Sequence, residues 1–207
     1  MSKKSTFHRL LPIFLASILP TAQANSITEL QTYLSNTKSL SANFTQSVRQ
    51  KSGKTENSSG QFQLLRPGQF KWVYAKPYNQ EIISNGQQIW LYDVDLAQVT
   101  IKPINKALDA SPAAVLTGNN NLHQNFNLQS LPSKNGLNWV ALNPKNKEAS
   151  FAQIRIGLLK GQLNMMELDD QFNQTTIIQF DKVAHNQSVA RSIFNFIPPK
   201  GVDVIRE

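Results

Sequence analysis

The sequence predicts a mostly-β single domain built on one large antiparallel sheet of about eleven strands, with a short helix laid across it. Three observations predict it. From about Leu40 onward, short stretches alternate apolar and polar residues. Turn signals such as Asn85-Gly86, Lys134-Asn135-Gly136 and Lys160-Gly161-Gln162 separate these stretches. One Ala-rich segment, 109–118, interrupts the period of two with helical punctuation.

The elements follow in order. Ser26 opens a helix as a cap, with Glu29 three residues on completing a capping box, and Ile27, Leu30, Tyr33 and Leu34 share one face. The period changes near Leu40, and Phe44 and Val48 then lie on one face of an extended stretch, with Thr45 and Arg49 on the other. Gly60–Leu64 alternates, and Phe70-Lys71-Trp72-Val73-Tyr74 puts three aromatics on one side of a strand. Ile82–Ser84 runs into Asn85-Gly86, a strong hairpin signal, and out through Ile89-Trp90-Leu91-Tyr92. Later strands centre on Val99–Ile101, Leu137–Leu142, Phe151–Ile156, Leu163–Leu168, Thr175–Phe180 and Ile193–Phe196. Between them, 109–118 reads as a short helix, with Ser111 as cap, Pro112 in the first turn and Gly118 as stop.

The N-terminus fixes the expected compartment. Lys3, Lys4 and Arg9 precede a compact apolar run, Leu10–Leu19, which ends at Pro20-Thr21-Ala22-Gln23-Ala24. The run is about half the ~20 residues needed to span a bilayer, and Ala22 and Ala24 supply the small residues of a signal-peptidase site. Residues 1–24 are therefore expected to be a cleaved signal peptide, leaving 25–207 as one domain in the periplasm. The chain contains no cysteine. Disulfides are excluded, and so is the lipid-attachment thiol of a bacterial lipoprotein, so a packed core must hold the fold. The net charge of +8 is scattered along the chain and is partly carried by the signal segment, which argues against nucleic-acid binding.

Chemistry-bearing motifs do not emerge. Gly53-Lys54-Thr55 lacks the upstream glycine of a phosphate loop, since Val48 stands there, and no helix follows. Asp93-Val94-Asp95 and Asp169-Asp170 read as strand-end turns, not calcium loops. His123 and His185 show no metal-ligand spacing, and no serine sits in a Gly-x-Ser-x-Gly elbow. No catalytic residue, metal or cofactor is expected.

Aromatic and apolar residues on strands are abundant, and their order resembles a known family. Ala42-Asn43-Phe44-Thr45-Gln46-Ser47-Val48 is similar to the F-T-Q strand of the LolA family of periplasmic lipoprotein carriers. Leu65-Arg66-Pro67-Gly68-Gln69-Phe70-Lys71-Trp72 resembles its R-P-x-x-F-x-W segment. Ser84-Asn85-Gly86 with Trp90, Tyr92, Asp93, Gln98 and Val99 matches its central hairpin, and Ser111-Pro112 with Val115-Leu116 falls where that family has a lid helix. Asp169-Asp170-Gln171 and 194–202 resemble its closing strands, so the likeness is collinear across the chain after residue 24. Ala113 and Ala114 stand where the family commonly has bulkier residues.

The resemblance implies an unclosed antiparallel β barrel whose inner face is an apolar cavity under a lid of short helices. It implies a monomeric carrier that takes acylated lipoproteins from an inner-membrane ABC-type release complex to an outer-membrane receptor. Phe70, Trp72, Tyr74, Trp90, Tyr92, Val115 and Leu116 are then expected to line the acyl-chain cavity, and Arg66 to latch the lid. Burial contributes about 0.8 kcal/mol per CH₂, on the order of 10 kcal/mol for a long chain, so an apolar pocket suffices for uptake and release becomes the harder step. The competing expectation is a sensing module of the same fold; an envelope hydrolase would need a reactive serine.

Overall fold

The computed structural model describes residues 26–104, 112–117 and 122–207. The expected signal segment, the Ser111 cap and the Gly118 stop lie outside the described residues.

The chain opens with α1 (Ser26–Asn36), followed by β1 (Ser39–Arg49), β2 (Thr55–Leu65), β3 (Gln69–Lys76), β4 (Gln80–Asn85), β5 (Gln88–Asp93) and β6 (Gln98–Pro103). Two short helices, α2 (Pro112–Thr117) and α3 (Leu122–Asn125), interrupt the strands. Then come β7 (Phe126–Lys134), β8 (Leu137–Pro144), β9 (Phe151–Leu159), β10 (Gln162–Asp170), β11 (Thr175–His185), a 3₁₀ turn (Arg191–Phe194) and β12 (Asp203–Arg206). The twelve strands among the described residues form one sheet in the order β12-β6-β5-β4-β3-β2-β1-β11-β10-β9-β8-β7. The neighbours are antiparallel hairpin partners except β1 with β11, which closes sequence-distant strands, and β12, which runs parallel to β6. β12 and β7 are the two free edges, so the sheet curls without closing.

Tight turns set the register. Asn135-Gly136 and Lys160-Gly161 both adopt positive φ at each position, the mirror-image turn that matches strand twist. A different constraint acts at Gly60, where the β2–β3 pairing shifts register. A Cβ there would stand 1.8 Å from the Val73 carbonyl oxygen and 3.1 Å from the Phe44 ring, so only glycine fits.

Strand alternation divides the side chains between two faces. The inner face carries the main core, including Phe44, Phe62, Phe70, Trp72, Ile156 and Phe180, over which α1 and α2 pack. Full burial of each such side chain contributes about 1.5–3 kcal/mol. α1 buries Leu30, Tyr33 and Leu34, the face expected from its periodicity. Its first turn departs from the expected capping box. The Ser26 hydroxyl donates to the Trp139 carbonyl at 2.9 Å, and the Glu29 carboxylate accepts from Asn138 Nδ2 at 2.8 Å. Both groups dock the helix onto β8.

The C-terminal segment covers part of the outer face. Ile193–Phe196 does not form the expected strand: Arg191–Phe194 is a 3₁₀ turn packed on β3 and β4, with Phe194 fully buried. The chain crosses those strands instead of pairing with one, so its apolar residues serve as anchors. Two strands went unforeseen. β7 has a mostly exposed pattern with Pro132 inside it, and β12 is only four residues long and joins through a parallel ladder.

Candidate functional site

The inner face is organised around β3. Phe70, Trp72 and Tyr74 all point inward, as their alternation predicts, and Phe70 and Trp72 are buried. Trp72 sits at the centre of an aromatic cluster, 4.7 Å from the Phe44 ring, 4.6 Å from Phe62 and 6.2 Å from Phe180. Tyr74 meets Phe44 edge-on at 5.3 Å, and its hydroxyl donates to Gln46 Oε1 at 3.2 Å. Burial pushes the Tyr74 phenol up to about 12. These rings come from four strands, β1, β2, β3 and β11. Phe44, Phe62 and Phe180 were legible as alternating apolar positions, but only the β1–β11 pairing brings Phe180 to Trp72.

α2 belongs to the same core. Ala113, Val115 and Leu116 are buried in the same core, and the helix packs on β3. The small Ala113 side chain is fully covered. The β2–β3 turn holds the end of this helix: the Gly68 amide donates to the Thr117 carbonyl at 3.2 Å. That turn is fixed in its own right. The buried Ser84 hydroxyl donates to the Gly68 carbonyl at 2.8 Å and accepts from the Gly86 amide at 3.1 Å. Sequence reading missed Ser84 and Gly68, because their roles depend on two turns meeting in space.

Arg66 lies in that same turn, with its amide donating to the Lys38 carbonyl at 2.9 Å. Its guanidinium is half-buried beside Tyr33 of α1, and burial lowers its pKa while the neighbouring phenol offsets part of that shift. An arginine starts so high that it stays cationic. Tyr33 is driven upward, chiefly by burial, and its hydroxyl meets His185 Nε2 at 3.2 Å. Burial lowers the pKa of His185. Arg66 therefore sits where the end of β2 meets α1.

Trp90 and Tyr92 require correction. They belong to a second cluster on the outer face, with Ile83 and Val99, where Phe196 lies 6.2 Å from Trp90 and 5.4 Å from Tyr92. The β4–β5 hairpin pairs Ser84 with Ile89 and Ile83 with Trp90. That register puts Ile89 and Leu91, not Trp90 and Tyr92, on the face of Phe70. Aromatic richness suggested a lining role, but the parity of the strand assigns the two rings to a structural contact with the C-terminal segment.

The remaining candidates resolve as turns or surface. Asp93 accepts from the Leu96 amide and Asp170 from the Phe172 and Gln174 amides, so both acidic pairs shape hairpin ends. Among the described residues no group of three His, Asp or Glu side chains converges to hold a metal ion, and no helix among them is long and apolar enough to cross a membrane. His123 is exposed on α3, 2.9 Å from Gln31.

A curled, open sheet whose apolar inner face is covered by helices defines a protein of the half-barrel class. Residues 35–197 match the family model described as outer membrane lipoprotein carrier protein LolA. The chain is 40% identical over 197 residues to an outer-membrane lipoprotein carrier protein of Nitrosospira multiformis, covering 94% of this chain and 95% of that one. It is 40% identical over 205 residues to one of Neisseria meningitidis serogroup B, covering 99% of each. A LolA superfamily protein from Nitrosomonas europaea shares the fold, with a TM-score of 0.50 at 10% identity over 83% of this chain and 98% of that one. This chain belongs to the LolA family.

Proposed function

We propose that the protein is a periplasmic carrier that binds the acyl chains of lipoproteins on the inner face of its sheet. The observation that carries this reading is the apolar inner face built around the aromatic cluster of Trp72, in a core that also takes in Val115 and Leu116 of α2. That helix is short, and the Gly68 amide bonds its last carbonyl. Displacing it would expose Phe70, Trp72 and Tyr74 together, a continuous apolar stripe along β3.

Arg66 acts as the latch on this reading. It lies in the turn that bonds the lid, and its planar fork of donors suits the carbonyls that short helices leave unsatisfied. A closed state stabilised there competes with bound cargo and keeps retention weak enough for transfer. Cargo comes from an inner-membrane ABC-type release complex and goes to an outer-membrane receptor, and the protein itself catalyses no reaction. The names of its relatives support the cargo class. The test is incubation with spheroplasts that hold newly made lipoproteins. The carrier reading expects lipoproteins to leave the membrane in a stable complex with the protein. Lipoproteins that stay membrane-bound at saturating protein would overturn it.

A further inference from the structure

Ser84 is a small polar residue among large apolar ones. It pairs with Phe70 on β3 and with Ile89 on β5, both buried, and is itself 0% exposed. A buried hydroxyl costs free energy unless it is bonded, and a small apolar residue would serve packing alone. The Ser84 hydroxyl is used twice: it donates to the Gly68 carbonyl at 2.8 Å and accepts from the Gly86 amide at 3.1 Å.

Both bonds act where the β2–β3 turn, which carries Arg66, meets the β4–β5 hairpin. The Arg66 amide donates to the Lys38 carbonyl at 2.9 Å, and the Gly68 amide donates to the Thr117 carbonyl of α2 at 3.2 Å. The two turns also touch backbone to backbone, since a Cβ added at Gly68 would stand 3.1 Å from the Gly86 Cα. The backbone bonds are open to any sequence, whereas the bond from Ser84 depends on one side chain. Pinning the carbonyl of Gly68 restrains a residue that has no Cβ to limit it, and so fixes where its amide points. Thr117 is 1% exposed, so with α2 in place its carbonyl depends on protein donors. We infer that Ser84 is a positioning residue: its hydroxyl holds the 66–68 turn where the Gly68 amide meets α2, and so sets how firmly that helix is held in the empty protein. The inference rests on the carrier reading and adds to Arg66 a second control of release, built on β4.

Ser84→Ala removes the hydroxyl and little volume. Amide hydrogen exchange, read by NMR on the empty proteins, compares it with the parent. Relative to amides in the β1–β11 pairing, the Gly68 amide should exchange about three- to tenfold faster in the variant, the scale of one lost hydrogen bond. Ile83→Ala, on the same strand but in the outer cluster, is the control for general destabilisation and should not single out Gly68. Loaded from spheroplasts, Ser84→Ala should take up lipoprotein as the parent does and pass it to the outer-membrane receptor several-fold more slowly, with normal delivery by Ile83→Ala. Combined with Arg66→Leu it should add little, because both changes act on one turn. A further measurement needs no variant: when the parent is loaded, the Gly68 amide should lose protection while the Gly86 amide, held by Ser84, keeps it. Parental delivery by Ser84→Ala, a change at Gly68 no larger than in the sheet, the same delivery defect in Ile83→Ala, or joint loss of protection at Gly68 and Gly86 in the loaded parent would each overturn the inference and leave the carrier reading standing. If the parent takes up no lipoprotein, the carrier reading fails, and exchange in the empty proteins still decides whether Ser84 holds α2.

Discussion

Phe70 and Arg66 flank the same turn, and their environments predict opposite phenotypes. Phe70 has no exposed surface in the closed molecule. Phe70→Glu loses its packing and puts a carboxylate on the inner face, a cost of at least the about 3–5 kcal/mol of a large-to-small core change. The variant should release no lipoprotein from spheroplasts and should unfold at lower denaturant, whereas Phe70→Leu, closer in volume, should retain release. Normal release by folded Phe70→Glu would remove Phe70 from the cargo face. Arg66→Leu acts on the closed state. If the guanidinium holds the lid, its loss costs the empty form about 1.5–3 kcal/mol, tenfold or more in the open–closed balance. The variant should accept lipoprotein at least as well as the parent yet fail to pass it to the outer-membrane receptor, with Arg66→Lys recovering only part of the transfer. Parental transfer rates in Arg66→Leu would end the latch assignment. His185 adds a pH dependence. Its pKa is depressed below the ordinary 6.5 by burial, so the folded state binds its proton less readily than the unfolded chain. The associated stability is present above pH 6.5 and is lost as the pH falls from there through the folded value. His185→Gln should flatten that part of the stability–pH curve, measured by urea unfolding at several pH values.

At the scale of elements, the hairpins and α2 obey different rules. Hairpin turns at Asn135-Gly136 and Lys160-Gly161 were legible because the turn chemistry is local, and the positive φ values follow from it. Gly60 was not legible as special, since its neighbours simply alternate. Its necessity comes from β3, whose Val73 carbonyl closes on it at the register shift. Gly60→Ala must push backbone apart, and a loss of about 1–3 kcal/mol or more in unfolding free energy is expected. Exposed Gly53 is the control, because no atom lies within 4 Å of the place an added methyl would take and only its positive φ opposes alanine. Thermal unfolding of Gly60→Ala and Gly53→Ala side by side isolates the effect of crowding. Similar losses at both positions would mean that crowding at Gly60 is relieved cheaply. The lid helix shows the same dependence on distant strands. Pro112 at its first turn was readable, but its tether, Gly68 to Thr117, joins segments far apart in sequence.

For the whole molecule, the sheet is one layer folded around its own inner face, with helices in place of a second sheet. β7 and β12 leave its two edges open. The N-terminal segment belongs to this scale, because on the export reading it sets the compartment. Recovery from the periplasm should yield a protein that begins at Asn25, shown by N-terminal sequencing, and a product that starts at Met1 in the membrane fraction would contradict the export reading.

The sequence by itself determined the mostly-β class, ten of the twelve strands, the Phe70–Trp72–Tyr74 stripe, the position of the short lid helix and the family likeness. Each of these is carried by local period, turn residues or collinear motifs. Tertiary structure decided which face each stripe joins. Period-two alternation says that Trp90 and Tyr92 share a side but cannot say which, and the Ser84–Ile89 pairing sends them outward against Phe196. It also decided that Phe180 meets Trp72 and that Ser84 braces the β2–β3 turn. Those facts depend on register and on contacts between distant strands, where a shift of one residue would exchange the two faces.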